Sequence, residues 1–346
     1  MRTSARRLLI AGGTAGLLGV AALAARKANR TLADHILGAA DDEIDPLYEL
    51  PAGVVHHELT ARDGGSIHVV ERGAGRPLVL VHGVTLQAEA WAPMLHLLAD
   101  RFRVVAIDVR GHGQSNPGSE GLGRKLAAAD LATVLDQLDL RGSIVMGHSM
   151  GGMILGELCA GFPEVVAARL AGMVFMSTAV SHLVPPAVLP VWGRVERRTR
   201  RRVEAGRALP RVIGENNRSL FVTRLAFGSH PSGAAVAQAR RLGAEVDLDR
   251  YLPLWLDLLD YDGRSALESV DLPAMVLVGS RDLLTPVYMA RRIVAHLRQG
   301  ELHVIPGAGH QLLQERPREV AEYLRDFDDR LSESATLAEQ DQQSDQ

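Results

Sequence analysis

Ser149 stands in Gly147-His148-Ser149-Met150-Gly151-Gly152, directly after the apolar run Ser143-Ile144-Val145-Met146. A serine on a sharp strand-to-helix turn projects its hydroxyl above the sheet. The small residues around it let the backbone turn where a larger side chain would strain it. A neutral hydroxyl attacks an ester carbonyl poorly. It needs a base, a group that orients the base, and donors for the oxyanion. His310, in Pro306-Gly307-Ala308-Gly309-His310, follows the last strand-like run and is the candidate base. Asp282, in Gly279-Ser280-Arg281-Asp282-Leu283-Leu284-Thr285-Pro286, also follows a strand and precedes a helix that Pro286 can open. It is the candidate orienter, although an aspartate there would also suit a helix cap or a turn. The rival location for the acid, after the preceding strand, reads Ser177-Thr178-Ala179 and holds no carboxylate. The oxyanion donors should be backbone N–H groups. Met150 follows the serine at a helix start, where its N–H is unpaired and the dipole favours negative charge. Val84, in His82-Gly83-Val84-Thr85, is the second. His82 reads as a brace for that loop rather than as a base.

These groups need a sheet to position them, because ligands and catalytic groups in open α/β sheets gather at the carboxyl ends of strands. Strand-like runs recur at residues 54–61, 66–71, 78–81, 103–107, 143–146, 173–176, 274–278 and 301–305. Helix-like stretches lie at 89–99, 122–138, 150–162, 287–297 and 317–331. Arg62-Asp63-Gly64-Gly65 reads as a hairpin turn between the first two runs. The later alternation predicts an α/β fold with a mostly parallel, doubly wound sheet, its central strands buried on both faces. No strand run appears between residues 182 and 269. That stretch is too long for a plain loop and predicts an inserted helical cap. The expected layout is a membrane anchor or export signal at 1–30, a core at 50–181 and 270–331, the cap at 182–269, and a disordered tail at 332–346.

Asp108-Val109-Arg110-Gly111-His112-Gly113-Gln114-Ser115 resembles a D-x-R-G-x-G-x-S turn. With the motifs above, it makes the chain resemble the α/β-hydrolases that have a His-Gly oxyanion loop and a helical cap, from about Val54 to Leu331. The resemblance implies a Ser149–Asp282–His310 triad and structural roles for Asp108 and Arg110. It implies a carboxylic ester hydrolase, esterase- or lipase-like, acting on a small-molecule or lipid-like ester. Serine at position 149 disfavours the members with an aspartate nucleophile, dehalogenases and epoxide hydrolases. The same arrangement also serves carbon–carbon bond hydrolases and cofactor-free haloperoxidase-like enzymes, and a slow ligand sensor can retain it. Those alternatives stay open.

Net charge is -3, which gives no global attraction to nucleic acid. The single cysteine, Cys159, excludes an internal disulfide. No metal-binding or phosphate-binding motif occurs, so no cofactor is expected. Arg2, Arg6 and Arg7 precede an uncharged stretch at 8–25, followed by Arg26 and Lys27. This pattern favours a membrane anchor or an export signal over a cytoplasmic placement. In the cap, Arg194, Arg197, Arg198, Arg200, Arg201 and Arg202 read as a solvated helix face, with contact to an anionic membrane surface as the sharper alternative. The neighbouring apolar stretch ending at Trp192, and the run Tyr251-Leu252-Pro253-Leu254-Trp255-Leu256, could line an apolar acyl pocket.

Overall fold

The computed structural model describes residues 31–181, 217–245 and 248–344, with residues 197, 198, 201 and 205 between them. The expected leader at 1–30, Trp192, Arg194, Arg200 and Arg202 lie outside the described residues.

The strands are β1 (Val55–Thr60), β2 (Ser66–Arg72), β3 (Arg76–Val81), β4 (Phe102–Ile107), β5 (Ser143–His148), β6 (Leu170–Met176), β7 (Pro273–Gly279) and β8 (Gln299–Ile305). They form one sheet in the order β1-β2-β4-β3-β5-β6-β7-β8. The β1–β2 and β2–β4 pairs are antiparallel. Every pair from β4 to β8 is parallel. The helices are α1 (Ala92–Leu97), α2 (Arg124–Gln137), α3 (Met150–Gly161), α4 (Pro163–Arg169), α5 (Asn217–Leu225), α6 (Gly233–Ala244), α7 (Leu248–Leu259), α8 (Arg264–Ser269), α9 (Val287–Val294), α10 (Leu312–Glu315) and α11 (Pro317–Ser344).

The continuous apolar runs split by the period of two. Val79, Val145, Phe175 and Val276 pack with Leu131 of α2 and Ile154 of α3 on one face. Leu80, Met146, Val174 and Leu277 pack with Leu95 of α1 and Leu324 of α11 on the other. Each such side chain, taken fully from water, contributes about 1.5–3 kcal/mol.

Helices α5 to α8 stand between β6 and β7, the interval where the cap is expected. Leu254 of α7 is buried in the apolar cluster that covers one face of the sheet. Arg124, at the start of α2, bonds Glu157 of α3 at 2.7 Å and also pairs with Asp257 of α7. Ala33 and Tyr48, in a segment the sequence leaves unassigned, pack with Leu220, Phe227 and Val236 of the cap. The expected tail needs correction, because α11 continues helical to Ser344. Residues 332–344 contain no Gly or Pro and include Ala, Leu, Glu and Gln, which extend a helix even with little to bury. Among the described residues, no single helix is long and apolar enough to cross a membrane.

Candidate active site

One residue makes the whole turn at the end of β5. His148 closes the strand, Met150 opens α3, and Ser149 between them has φ 53° and ψ -116°. Such a conformation costs about 1–3 kcal/mol and persists only where its surroundings enforce it. Ser149 N–H donates to Met176 O at 3.0 Å, and the Thr178 hydroxyl donates to Ser149 O at 2.6 Å. Gly151 allows the close approach of α3 to β3, since a Cβ there would lie 2.1 Å from Val81 O.

Asp282 and His310 come together from the loops after β7 and β8. His310 Nδ1 lies 3.0 Å from Asp282 Oδ2 and 3.2 Å from Oδ1. Asp282 Oδ1 also accepts the Leu284 N–H at 2.9 Å and the Thr285 N–H at 2.8 Å. The Thr285 hydroxyl donates to Oδ2 at 2.7 Å and stands 3.2 Å from His310 Nδ1. Burial opposes ionisation of Asp282. The His310 ring and the Thr285 donors outweigh it and hold the pKa below the ordinary carboxylate value. The carboxylate therefore caps its own turn and orients the ring. With Nδ1 turned to Asp282, Nε2 is the nitrogen left for a base. Among the described residues, no hydrogen bond links the Ser149 hydroxyl to this ring. The two are nonetheless neighbours through His148, whose ring centroid lies 5.0 Å from that of His310 and whose Nε2 donates to His310 O at 3.0 Å. Hydrogen bonds of this kind often tighten only when substrate is present.

The loop after β3 approaches the same serine. A Cβ on Gly83 would lie 3.1 Å from Ser149 Cβ and 2.9 Å from His148 Nδ1. His82 Nδ1 donates to Gly83 O at 2.7 Å, and Nε2 accepts the Val109 N–H at 2.9 Å. That pattern requires a neutral ring, and burial with the neighbouring His112 pushes its pKa down to about 3. His82 is thus committed at both nitrogens to bracing the loop. His112 Nε2 donates to Val84 O at 2.8 Å. Val84 N–H has no acceptor among the described residues, and Met150, first in α3, has no intrahelical acceptor for its own.

The turn after β4 is structural. Buried Arg110 makes a two-pronged pair with Asp130 at 2.6 and 2.7 Å and reaches Asp63 at 3.1 Å. Asp108 accepts the Ala88 N–H at 2.6 Å, the Gln114 N–H at 2.9 Å and His68 Nδ1 at 2.7 Å. Among the described residues, no group of three or more His, Cys, Asp or Glu is arranged to hold a metal ion.

The sequence pattern that describes the alpha/beta hydrolase family matches residues 78–323. The chain belongs to the alpha/beta hydrolase family. It is similar to the non-heme chloroperoxidase of Burkholderia pyrrocinia, 29% identical over 267 residues, which cover 74% of this chain and 93% of that protein. An esterase from Exiguobacterium antarcticum superposes with a TM-score of 0.67 at 20% identity, covering 79% of this chain and 99% of that one. A bacterial membrane phospholipase A does so with a TM-score of 0.67 at 20% identity, covering 94% and 99%. At that identity, both superpositions establish the fold alone. As a member of this family, the protein is an enzyme.

Proposed function

We propose that this hydrolase cleaves a carboxylic ester through an acyl-enzyme, with Ser149 as nucleophile, His310 as base and Asp282 as its orienter. The observation that carries the reading is the buried Asp282–His310 pair at 3.0 Å, packed through His148 against the strained serine turn. Ser149 Oγ bonds to the ester carbonyl carbon while His310 Nε2 takes its proton. The C–O bond then breaks, and the alcohol leaves with that proton. Water, deprotonated by the same ring, releases the acid. The developing oxyanion sits against Val84 N–H and Met150 N–H, and one such donor is worth about 2.7–4 kcal/mol. A fluorophosphonate probe should label the wild type and spare Ser149→Ala. Equal labelling of both would end the assignment.

The substrate in this reading carries an apolar acyl or alkyl group. Turnover of p-nitrophenyl esters should rise with chain length, by up to about fourfold in kcat/KM per methylene, until the pocket fills. A flat profile would count against it. The segment 1–30 would hold the enzyme at a membrane or export it, and exposed Arg197, Arg198 and Arg201 would meet anionic headgroups. Similarity to a non-heme chloroperoxidase over 74% of the chain favours a second reading, a cofactor-free haloperoxidase-like enzyme. Halide oxidation that requires hydrogen peroxide and a carboxylic acid, and that Ser149→Ala abolishes, would distinguish it.

A further inference from the structure

Glu315 is a buried carboxylate with no part in the chemistry above. It closes α10 and faces three backbone donors instead of a cation. Oε2 accepts the Gly228 N–H at 2.7 Å. Both oxygens lie 3.0 Å from the Gly309 nitrogen, and Oε1 accepts the Gln311 N–H at 3.2 Å. Gly309 and Gln311 flank His310, while Gly228 belongs to the cap loop after α5. One carboxylate therefore holds the base loop on both sides of the imidazole and fastens it to the cap. The remaining backbone groups of His310 are fixed in the same way. Its N–H donates to Ala226 O of the cap loop at 2.7 Å, and its carbonyl accepts from His148. The two loops touch backbone to backbone: a Cβ on Gly228 would lie 2.1 Å from Gly307 O, and one on Gly309 would lie 2.4 Å from Gly228 N.

We propose that Glu315 is a positioning residue for His310, through which the seating of the cap loop sets the orientation of the catalytic base. This rests on His310 being that base. A charged acceptor makes stronger hydrogen bonds than a neutral one, so an ionised Glu315 defines the loop best. Burial pushes its carboxyl above the ordinary value, while the three N–H donors and Arg316 pull it back. Protonation replaces one acceptor by a hydroxyl that faces N–H groups, and the loop loosens. The titratable and charged groups around it are Asp41, Tyr48, His230, Arg316, Arg318 and Glu319, which line an adjoining cavity of about 200 Å³.

The test uses the full-length protein and p-nitrophenyl acetate. Glu315→Gln keeps the size of the side chain but turns a donor toward the N–H groups. Its kcat should fall at least tenfold with KM within about twofold of wild type, and Glu315→Asp should recover part of the loss. In the wild type, the amide protons of Gly228, Gly309 and Gln311 should titrate with one common midpoint. The low-field His310 Nδ1 proton should move at that same midpoint. If Glu315→Gln does not fold, this wild-type titration decides. Three amides with separate midpoints, or a His310 signal that ignores theirs, would overturn the proposal. Turnover lost in His310→Ala but kept in Glu315→Gln would sink it alone. Turnover that survives His310→Ala would sink the triad reading as well.

Discussion

Replacing Thr285 by valine removes one hydroxyl and almost no volume. That hydroxyl donates to Asp282 Oδ2 at 2.7 Å, and Thr285 is 2% exposed. A hydrogen bond to a charged group contributes about 1.5–3 kcal/mol. Asp282 keeps the Leu284 N–H, the Thr285 N–H and the His310 ring in the variant, so the lower figure applies. Losing that bond raises the pKa of Asp282, because it stabilises only the ionised form. The sign follows from its depressed folded-state pKa. The ionised carboxylate stabilises the fold above the unfolded pKa of about 3.9 and loses that contribution as pH falls through the folded value. Thr285→Val weakens the ionised form, so the loss begins at higher pH. Urea unfolding should show the variant about 1.5 kcal/mol less stable at pH 7. The gap should narrow at acid pH, as the carboxyl of the variant and then that of the wild type becomes protonated. Thr285→Ser should restore most of the difference. A gap that stays constant with pH, or one under about 0.5 kcal/mol at pH 7, would refute the assignment of this hydroxyl to the charged carboxylate.

Arg124→Met should destabilise the protein by about 2–3 kcal/mol, below the figure for a fully buried pair because Asp257 is 35% exposed, with thermal unfolding as the check. Cys159 is buried and its thiol is pushed up to about 12 by desolvation, so iodoacetamide at pH 8 should leave native protein unlabelled and fully active, and should modify it only in denaturant.

All eight strands are visible in the sequence: central strands such as β3 and β5 are buried on both faces and read as unbroken apolar runs, while the edge strands β1 and β8 show mixed runs between turn signals. The ends of those runs mislead. β6 starts at Leu170, ahead of the run at residues 173–176: Leu170 and Gly172 pair with Ser143 and Ile144 of β5, while Ala171 sits at a shift in register between them, and neither Ala171 nor Gly172 carries much hydrophobic signal. Helix α4 is hidden behind Phe162-Pro163, which reads as a stop but places proline at a first helical turn, where its missing N–H costs nothing. The helical continuation past Leu331 is missed for a different reason. A scarcity of apolar residues signals that little is buried, and that is compatible with an exposed helix as well as with a disordered chain.

The site divides along the same line. The proposed triad of Ser149, Asp282 and His310 is legible because each residue needs a specific local backbone: a one-residue turn, a turn that opens a helix, and a glycine-rich loop. Thr285 was within reach, since an aspartate three residues before a threonine is a familiar turn pattern and the bond spans only that interval. His148 and Glu315 were not. His148 looks like the variable residue of its motif until it meets a carbonyl 162 residues away. Glu315 looks like an ordinary helix-end acid until it meets a cap amide 87 residues before it. No pattern of hydropathy encodes those meetings. The second depends on glycines 228 and 309, whose lack of a side chain lets two loops touch. Groups that perform a reaction impose local geometry and so leave a local trace. Groups that hold the performers in register act through tertiary contact, and only the assembled fold displays them.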